Sequence, residues 1–259
     1  MEIVGYVVLG IVAGILSGLF GIGGGIVMVP SLIVIFGLNI LDANATSLAA
    51  MLLPVGILGV IAYYKAGLIN VKDSLWIALG LFLGSFAGGE FANHISETLL
   101  GKLYAAILLY IALSYFDIPS RFKKKKELKS VTFHVEKPFW SYVLVGVTAG
   151  VFAGLFGKGG GIIIVPMLIG MFHYDAKAAA ATSLAAMQLP VGLPSVLIYA
   201  HNGHLNILNA AFIAFGILAG VLLGSKLGVK LPSKMFKKVY AVFLLVVAVY
   251  MIYKSTHLV

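Results

Sequence analysis

A glycine-rich segment that the chain contains twice sets the strongest limit on its fold. GLFGIGGGIVMVPSLI runs from Gly18 to Ile33 and GLFGKGGGIIIVPMLI from Gly154 to Ile169; shifted by 136 residues they align without a gap and agree at 12 of 16 positions. The same shift lays ATSLAAMLLPVG (Ala45 to Gly56) over ATSLAAMQLPVG (Ala181 to Gly192), with Leu52 and Gln188 the one difference. Tyr63 falls over Tyr199, Gly67 over Gly203, Gly80, Gly84 and Gly88 over Gly216, Gly220 and Gly224, and Tyr104 over Tyr240. A match carried through both halves means a duplicated unit, so each half folds alike and the two pack together.

The setting follows from polarity. Of 259 residues, 61% are hydrophobic and 10% charged, with a mean hydropathy of +1.07, which is more apolar surface than one soluble core can bury. The charge sits in short stretches between apolar runs long enough to span, so the chain belongs in a bilayer. Glu2, the lack of a basic leader and an apolar run continuing to Phe36 predict a first segment that is retained rather than cleaved. The absence of cysteine excludes disulfides, thiol catalysis and Cys-ligated metal or iron–sulfur sites. Most of the net charge of +9 lies from Arg121 to Lys137, seven basic residues against two acids. Between membrane segments such a loop reads as a cytoplasmic topology determinant, not a nucleic-acid site.

Breaks at Gly, Pro, Asn and charge divide each half into five helical segments. In the first half these are Ile3 to Phe20, Gly25 to Phe36, Ala43 to Tyr64, Ser74 to Asn93 and Leu99 to Phe116; in the second, Phe139 to Phe156, Gly161 to Phe172, Ala178 to Tyr199, Ile207 to Ser225 and Met235 to Tyr253. The domains are then a first transmembrane repeat, 1–116, a basic cytoplasmic linker, 117–137, and a second transmembrane repeat, 138–259. First and second segments joined as one helix would run about 50 Å, too long for one span of about 30 Å. The chain is therefore predicted to fold back at the glycines, with hairpin tips at Gly21 to Gly25 and Gly157 to Gly161. Whether the first segment of each repeat crosses fully or is re-entrant stays open at this point.

Lysine counts predict opposite orientations. With the linker inside, His94 to Lys102 is outside and holds one basic residue, while its counterpart Lys226 to Lys238 holds five and should be inside. Lys65 and Lys72 stand in the preceding loop of half one, against no Lys or Arg from His201 to Asn209. The expected fold is thus an all-α polytopic membrane protein of two inverted-topology repeats, each with a Gly-rich hairpin and a Pro-broken helix, both termini outside. Such repeats build transporters with a site near the membrane midplane.

Candidate site residues follow from depth. Non-helical backbone within a membrane survives only where protein covers it or where it lines a wet cavity, and helix N-termini after a glycine turn present free N–H groups to an anion. This selects Gly21, Gly23, Gly24 and Gly25 in the first turn, and Gly157, Lys158, Gly159, Gly160 and Gly161 in the second. The alternative is that the glycines serve close helix packing alone. Pro54 and Pro190 break the third segments at similar depth, and Thr46, Ser47, Thr182 and Ser183 on those segments can donate hydroxyls. Lys158 replaces Ile22 and Gln188 replaces Leu52; a lysine at membrane depth is a functional residue by default, unless its stem snorkels to an interface.

Eight of the nine acids lie in loops, at segment ends or at the terminus, Glu90 excepted, so the interior favours negative cargo over cations. Enzyme chemistry is not supported, and no cofactor or metal is expected: the six histidines lie in loops or at the terminus, HNGH (His201 to His204) has no acidic or cysteine partner nearby, GLFGKGGG lacks phosphate-loop spacing, and there is no GxSxG.

At these residues the chain resembles the sulfite exporter TauE/SafE family of membrane permeases. GxxxGxxGxGGG occurs at Gly14 to Gly25 and Gly150 to Gly161, each followed by a proline, the TSLAA segment and its proline, with a charged linker between the halves. The resemblance implies a multi-pass plasma-membrane (inner-membrane) protein that moves sulfite or organosulfur anions such as sulfonates, generally outward. The residues and the resemblance together describe a secondary transporter of small anions working by alternating access. A passive anion channel, an importer of a sulfur-containing anion and a membrane subunit of a larger assembly are the alternatives. The anion, the direction, the coupling ion and whether two copies form a homodimer are left open.

Overall fold

The structure, a computed structural model, describes residues 2–110 and 137–249 apart from 53, 55, 97, 101, 104, 105, 107, 108, 158, 159, 233, 234, 236, 237, 240, 241, 243, 244, 247 and 248. The described residues form helices and turns, with no strand among them. The first half gives α1 (Glu2–Phe20), α2 (Gly25–Ile35), α3 (Ile40–Ala50), α4 (Ile57–Lys65) and α5 (Val71–His94). The second gives α6 (Phe139–Phe156), α7 (Gly161–Met171), α8 (Ala176–Ala186), α9 (Leu193–His201) and α10 (Ile207–Lys230). Each helix of one half has its counterpart in the other at the shift read from the sequence, so the duplication is structural.

The third segment of each half is two helices. Pro54 and Pro190 have no N–H to continue the ladder, and α3 and α8 end at Ala50 and Ala186. Both start earlier than expected because a polar residue caps them: the Asn39 side chain accepts from Asp42 N–H and that of Asp175 from Lys177 N–H. Likewise α5 starts at Val71 behind the Asn70 cap, which accepts from Asp73 N–H. The expected fifth segments and the linker 117–137 fall largely outside the described residues.

Among the described helices, α1, α5, α6 and α10 are long and apolar enough to cross a membrane. With 19 residues, α1 measures about 28 Å, close to the hydrocarbon thickness. Large apolar side chains lie bare on these helices: Val4 is 66% exposed, Phe86 61% and Phe215 71%. Lipid can cover such faces, whereas water would not tolerate so many.

The long helices pair across the halves, α1 with α10 and α5 with α6. Gly10, Gly14 and Gly18 lie against carbonyls of Ile213, Ile217 and Val221, and Gly216, Gly220 and Gly224 against carbonyls of Val7, Ile11 and Ile15. A Cβ at any of these would overlap the facing backbone, so the glycines set how closely the helices approach. The numbers rise together, which makes the pair parallel. Gly80, Gly84 and Gly88 meet Val143, Val147 and Val151 of α6 in the same way.

Both hairpins turn back into the molecule. Phe36, just past α2, stacks on Tyr6 with ring centroids 4.1 Å apart, while Gly24, just before α2, lies against Ala13. The neighbouring Gly14 faces Ile217, near the middle of α10, so α2 begins at half the height of the long helices. In the second half Gly160 lies against Ala149, and Gly150 faces Leu81 near the middle of α5. The main apolar cluster fills the space between the hairpins, joining Phe20, Ile22 and Ile26 to Phe156, Ile162 and Val165. Leu68 and Ile69, before α5, cluster with Val229 at the end of α10, and Ala92, late in α5, clusters with Leu205 before α10.

Candidate functional site

The two glycine turns meet. Gly21, Gly23 and Gly24 have φ of 67°, 77° and 74°, and Gly157 has 62°, a region open to glycine but strained for other residues. Gly21 N–H closes α1 on Ser17 O at 2.7 Å, and Gly24 O receives the N–H of Val27 and Met28 at 3.0 and 3.1 Å. Gly160 O receives Ile163 and Ile164 N–H in the same way, both at 3.0 Å. Among the described residues no carbonyl accepts the first N–H groups of α2 and α7, which open at mid-height. A Cβ on Gly161 would overlap Gly21 O and the backbone of Ile22, so the start of α7 abuts the first turn. Each turn also rests on the third segment of the other half, Gly21 on Ala180 and Gly157 on Asn44.

Tyrosines that the sequence marked as duplicated, without a role, anchor these turns. Tyr63 OH donates to Gly18 O and Tyr199 OH to Gly154 O, each at 2.8 Å. Both rings are fully buried. Asn44, which has Ala180 as its counterpart and was not singled out, donates Nδ2–H to Leu155 O at 3.0 Å.

Equivalent hydroxyls do different work in the two halves. Ser183 Oγ donates to Gly21 O at 2.8 Å, tying α8 to the first turn, while Ser47 Oγ is buried without a partner. Thr182 Oγ1 accepts from Asn70 N–H at 3.3 Å and Thr182 O from Ser74 Oγ at 3.1 Å, while Thr46 Oγ1 has no partner. Thr182 therefore sits beside the loop that leads into α5. Near the same end, Lys177 Nζ donates to Val229 O at 2.8 Å and Tyr174 OH donates to Asp73 Oδ2. Burial, then the Asp73 carboxylate, push the Tyr174 hydroxyl far above the ordinary phenol range, so it stays a neutral donor. At the other end His204 Nδ1 pairs with Asp42 Oδ1 at 2.7 Å.

The proline breaks enclose a small cavity of about 30 Å³. Leu48 and Met51 of the first break, Met187 and Gly192 of the second, and Gly160 at the start of α7 line it. The volume suits about one water. Gln188, next to Met187, bridges the breaks: its Nε2 donates to Leu184 O at 2.8 Å, its amide lies against Gly56, and its Oε1 is buried without a partner. Ser85 Oγ holds the second break by donating to Val191 O at 2.7 Å. Pro54 and Pro190 are exposed. Lys158 and Gly159 lie outside the described residues.

Among the described residues, the buried side-chain polar atoms that lack any partner are Asn44 Oδ1, Thr46 Oγ1, Ser47 Oγ and Gln188 Oε1. All four lie on the segments that flank the glycine turns and the breaks. Buried polar groups are nearly always paired, and an unpaired one costs about 1–3 kcal/mol. Asn44 Oδ1 lies against Gly157 and Gln188 Oε1 against Gly56, each a position that a water or a ligand can complete.

Duplicated apolar helices, two interrupted segments and unpaired buried polar atoms on them define a polytopic helical membrane protein. The model of the sulfite exporter TauE/SafE family matches residues 6–251, and the chain belongs to this family of membrane transporters. It is 31% identical over 219 residues to a protein named probable membrane transporter protein of Methanocaldococcus jannaschii, covering 82% of this chain and 78% of the relative. A similarly named protein of Bacillus subtilis is 29% identical over 232 residues, covering 83% and 85%. One of Haemophilus influenzae is 30% identical over 189 residues, covering 70% and 68%. No solved structure matches the chain.

Proposed function

We propose that the protein is a secondary transporter that exports small anions, sulfite or organosulfur anions such as sulfonates, by alternating access at the site between the glycine turns and the proline breaks. The observation that carries this reading is the meeting of the two glycine turns, where Gly161 at the start of α7 abuts Gly21, with the unpartnered Asn44 Oδ1 beside Gly157. N–H groups and hydroxyls supply donors for an anion, and Lys158 supplies the positive charge. The cavity of about 30 Å³ is smaller than a three-oxygen anion needs, which favours a carrier whose breaks part over a standing pore.

In this reading the halves are inverted, with the linker 117–137 cytoplasmic and both termini outside the cell membrane. The opposed courses of α5 and α10 support inversion: α5 starts beside the end of α10 and finishes beside its beginning. Sulfite is the substrate to test first because of the family. Radiolabelled sulfite flux into proteoliposomes, with and without imposed pH and potential gradients, should show accumulation beyond electrochemical equilibrium that an ionophore abolishes. Protein-dependent flux that only equilibrates sulfite under every gradient would establish a channel instead. Lys158→Met should weaken both binding and flux; unchanged values would remove the lysine from the site.

A further inference from the structure

We infer that the site takes a small oxyanion that carries its own hydrogen-bond donor in preference to one whose oxygens can only accept. This rests on the reading of the site as an anion carrier and narrows its substrate class. The observation concerns two amides. Asn44 donates Nδ2–H to Leu155 O at 3.0 Å, and Gln188 donates Nε2–H to Leu184 O at 2.8 Å. Rotating either amide would set its carbonyl oxygen against a backbone carbonyl oxygen, so the bonding fixes which atom is free. In both cases it is the oxygen, and an amide oxygen only accepts.

Both oxygens are buried without a partner, and Asn44 is wholly buried. They lie at the parts of the site that interrupt the helices, Asn44 Oδ1 beside Gly157 and Gln188 Oε1 beside Gly56. Neither acceptor follows from the duplication, since Ala180 and Leu52 occupy the counterpart positions; each half contributes one. An oxyanion with lone pairs alone would meet the hydroxyls and helix N-termini well but leave these oxygens unpaired. One bearing an O–H or N–H can donate to an oxygen of this kind while its lone pairs accept from the donors. A site built to bond a hydroxyl discriminates strongly against the analogue that lacks it, because its own polar groups are left unpaired.

Ethanesulfonate and 2-hydroxyethanesulfonate are stable monoanions that differ by one hydroxyl, and they can be compared as radiolabelled substrates in proteoliposomes. The wild-type protein should take up the hydroxylated compound at least about tenfold better. Gln188→Leu, which installs the residue of the other half, should bring the ratio towards one, and Asn44→Ala should lower it. Each ratio is read within one preparation, so a loss of folded protein does not change it. Equal uptake by the wild type, or a preference that both substitutions leave intact, overturns the inference while the anion reading stands. Sulfite flux without uptake of either sulfonate also overturns it. No flux of any of the three anions removes the carrier reading and the inference with it.

Discussion

Ser47 and Ser183 occupy equivalent positions in the duplicated TSLAA segments, and the structure gives their truncations opposite signs. Ser183 Oγ donates to Gly21 O at 2.8 Å between fully buried groups. Ser183→Ala removes that bond and strands the carbonyl of a turn that has no other use for it. A net hydrogen bond is worth about 1 kcal/mol, and a stranded acceptor costs about 1–3 kcal/mol; interhelical bonds in membranes average nearer 0.6 kcal/mol. A destabilisation of about 1–2 kcal/mol follows. Ser47 Oγ is buried with no partner, so Ser47→Ala deletes an unpaired hydroxyl whose burial costs about 1–3 kcal/mol by protein mutational data. That change is neutral or stabilising by about 1 kcal/mol. The expected gap between the variants is about 2 kcal/mol, more than tenfold in the unfolding constant. Reversible unfolding in mixed micles of native and denaturing detergent measures it. Equal effects, or Ser47→Ala as the more damaging change, would refute the assignment of these hydroxyls. Flux should show the reverse order per folded molecule, with Ser47→Ala the more impaired.

Gly84→Ala should cost more than about 2 kcal/mol by overpacking, because its Cβ would overlap Val147 O; Gly170→Ala, with nothing within 4 Å, should gain up to about 1 kcal/mol of helix propensity. The same unfolding assay ranks the two, and equal stabilities would contradict the glycine packing. Tyr63→Phe and Tyr199→Phe should each cost about 1 kcal/mol, since both donate to counterpart carbonyls at 2.8 Å; widely different costs would deny the turns an equivalent anchor. Single cysteines at the exposed, equivalent positions Lys65 and His201 should react with an impermeant thiol reagent from opposite sides of the membrane. Labelling from one side alone would rule out inverted halves.

The architecture was legible because glycine and proline act locally. The turns appear where three consecutive glycines or their counterparts occur, and the breaks appear at Pro54 and Pro190, since neither requires knowledge of a distant partner. The long helices were readable from apolar length. The starts of α3, α5 and α8 were placed late by up to three residues, because Asn39, Asn70 and Asp175 cap them from outside the apolar run. The cross-half pairing of α1 with α10 was not readable. Small-residue spacing on Gly10, Gly14 and Gly18 reveals a contact face but does not name the helix that fills it.

The unequal use of equal residues has its cause in their neighbours. Thr46 and Thr182 are the same residue in the same motif, and Asn70 and Asn206 stand before equivalent helices. Yet Thr182 is engaged by Asn70 and Ser74, while Ala210 stands where the second contact to Thr46 would need a serine. The side-chain oxygens do not make the difference, since Asn206 caps α10 through Leu208 and Asn209 N–H as Asn70 caps α5 through Asp73 N–H. One end of the molecule is thereby tied through the threonine and the other through Asp42 and His204. A carrier with inverted halves needs its two ends to open in turn, and ends held by unlike bonds do not open at equal cost. Under the proposed carrier reading, the unpaired hydroxyls of Ser47 and Thr46 are the ones left to a substrate, and those of Ser183 and Thr182 the ones that hold the fold.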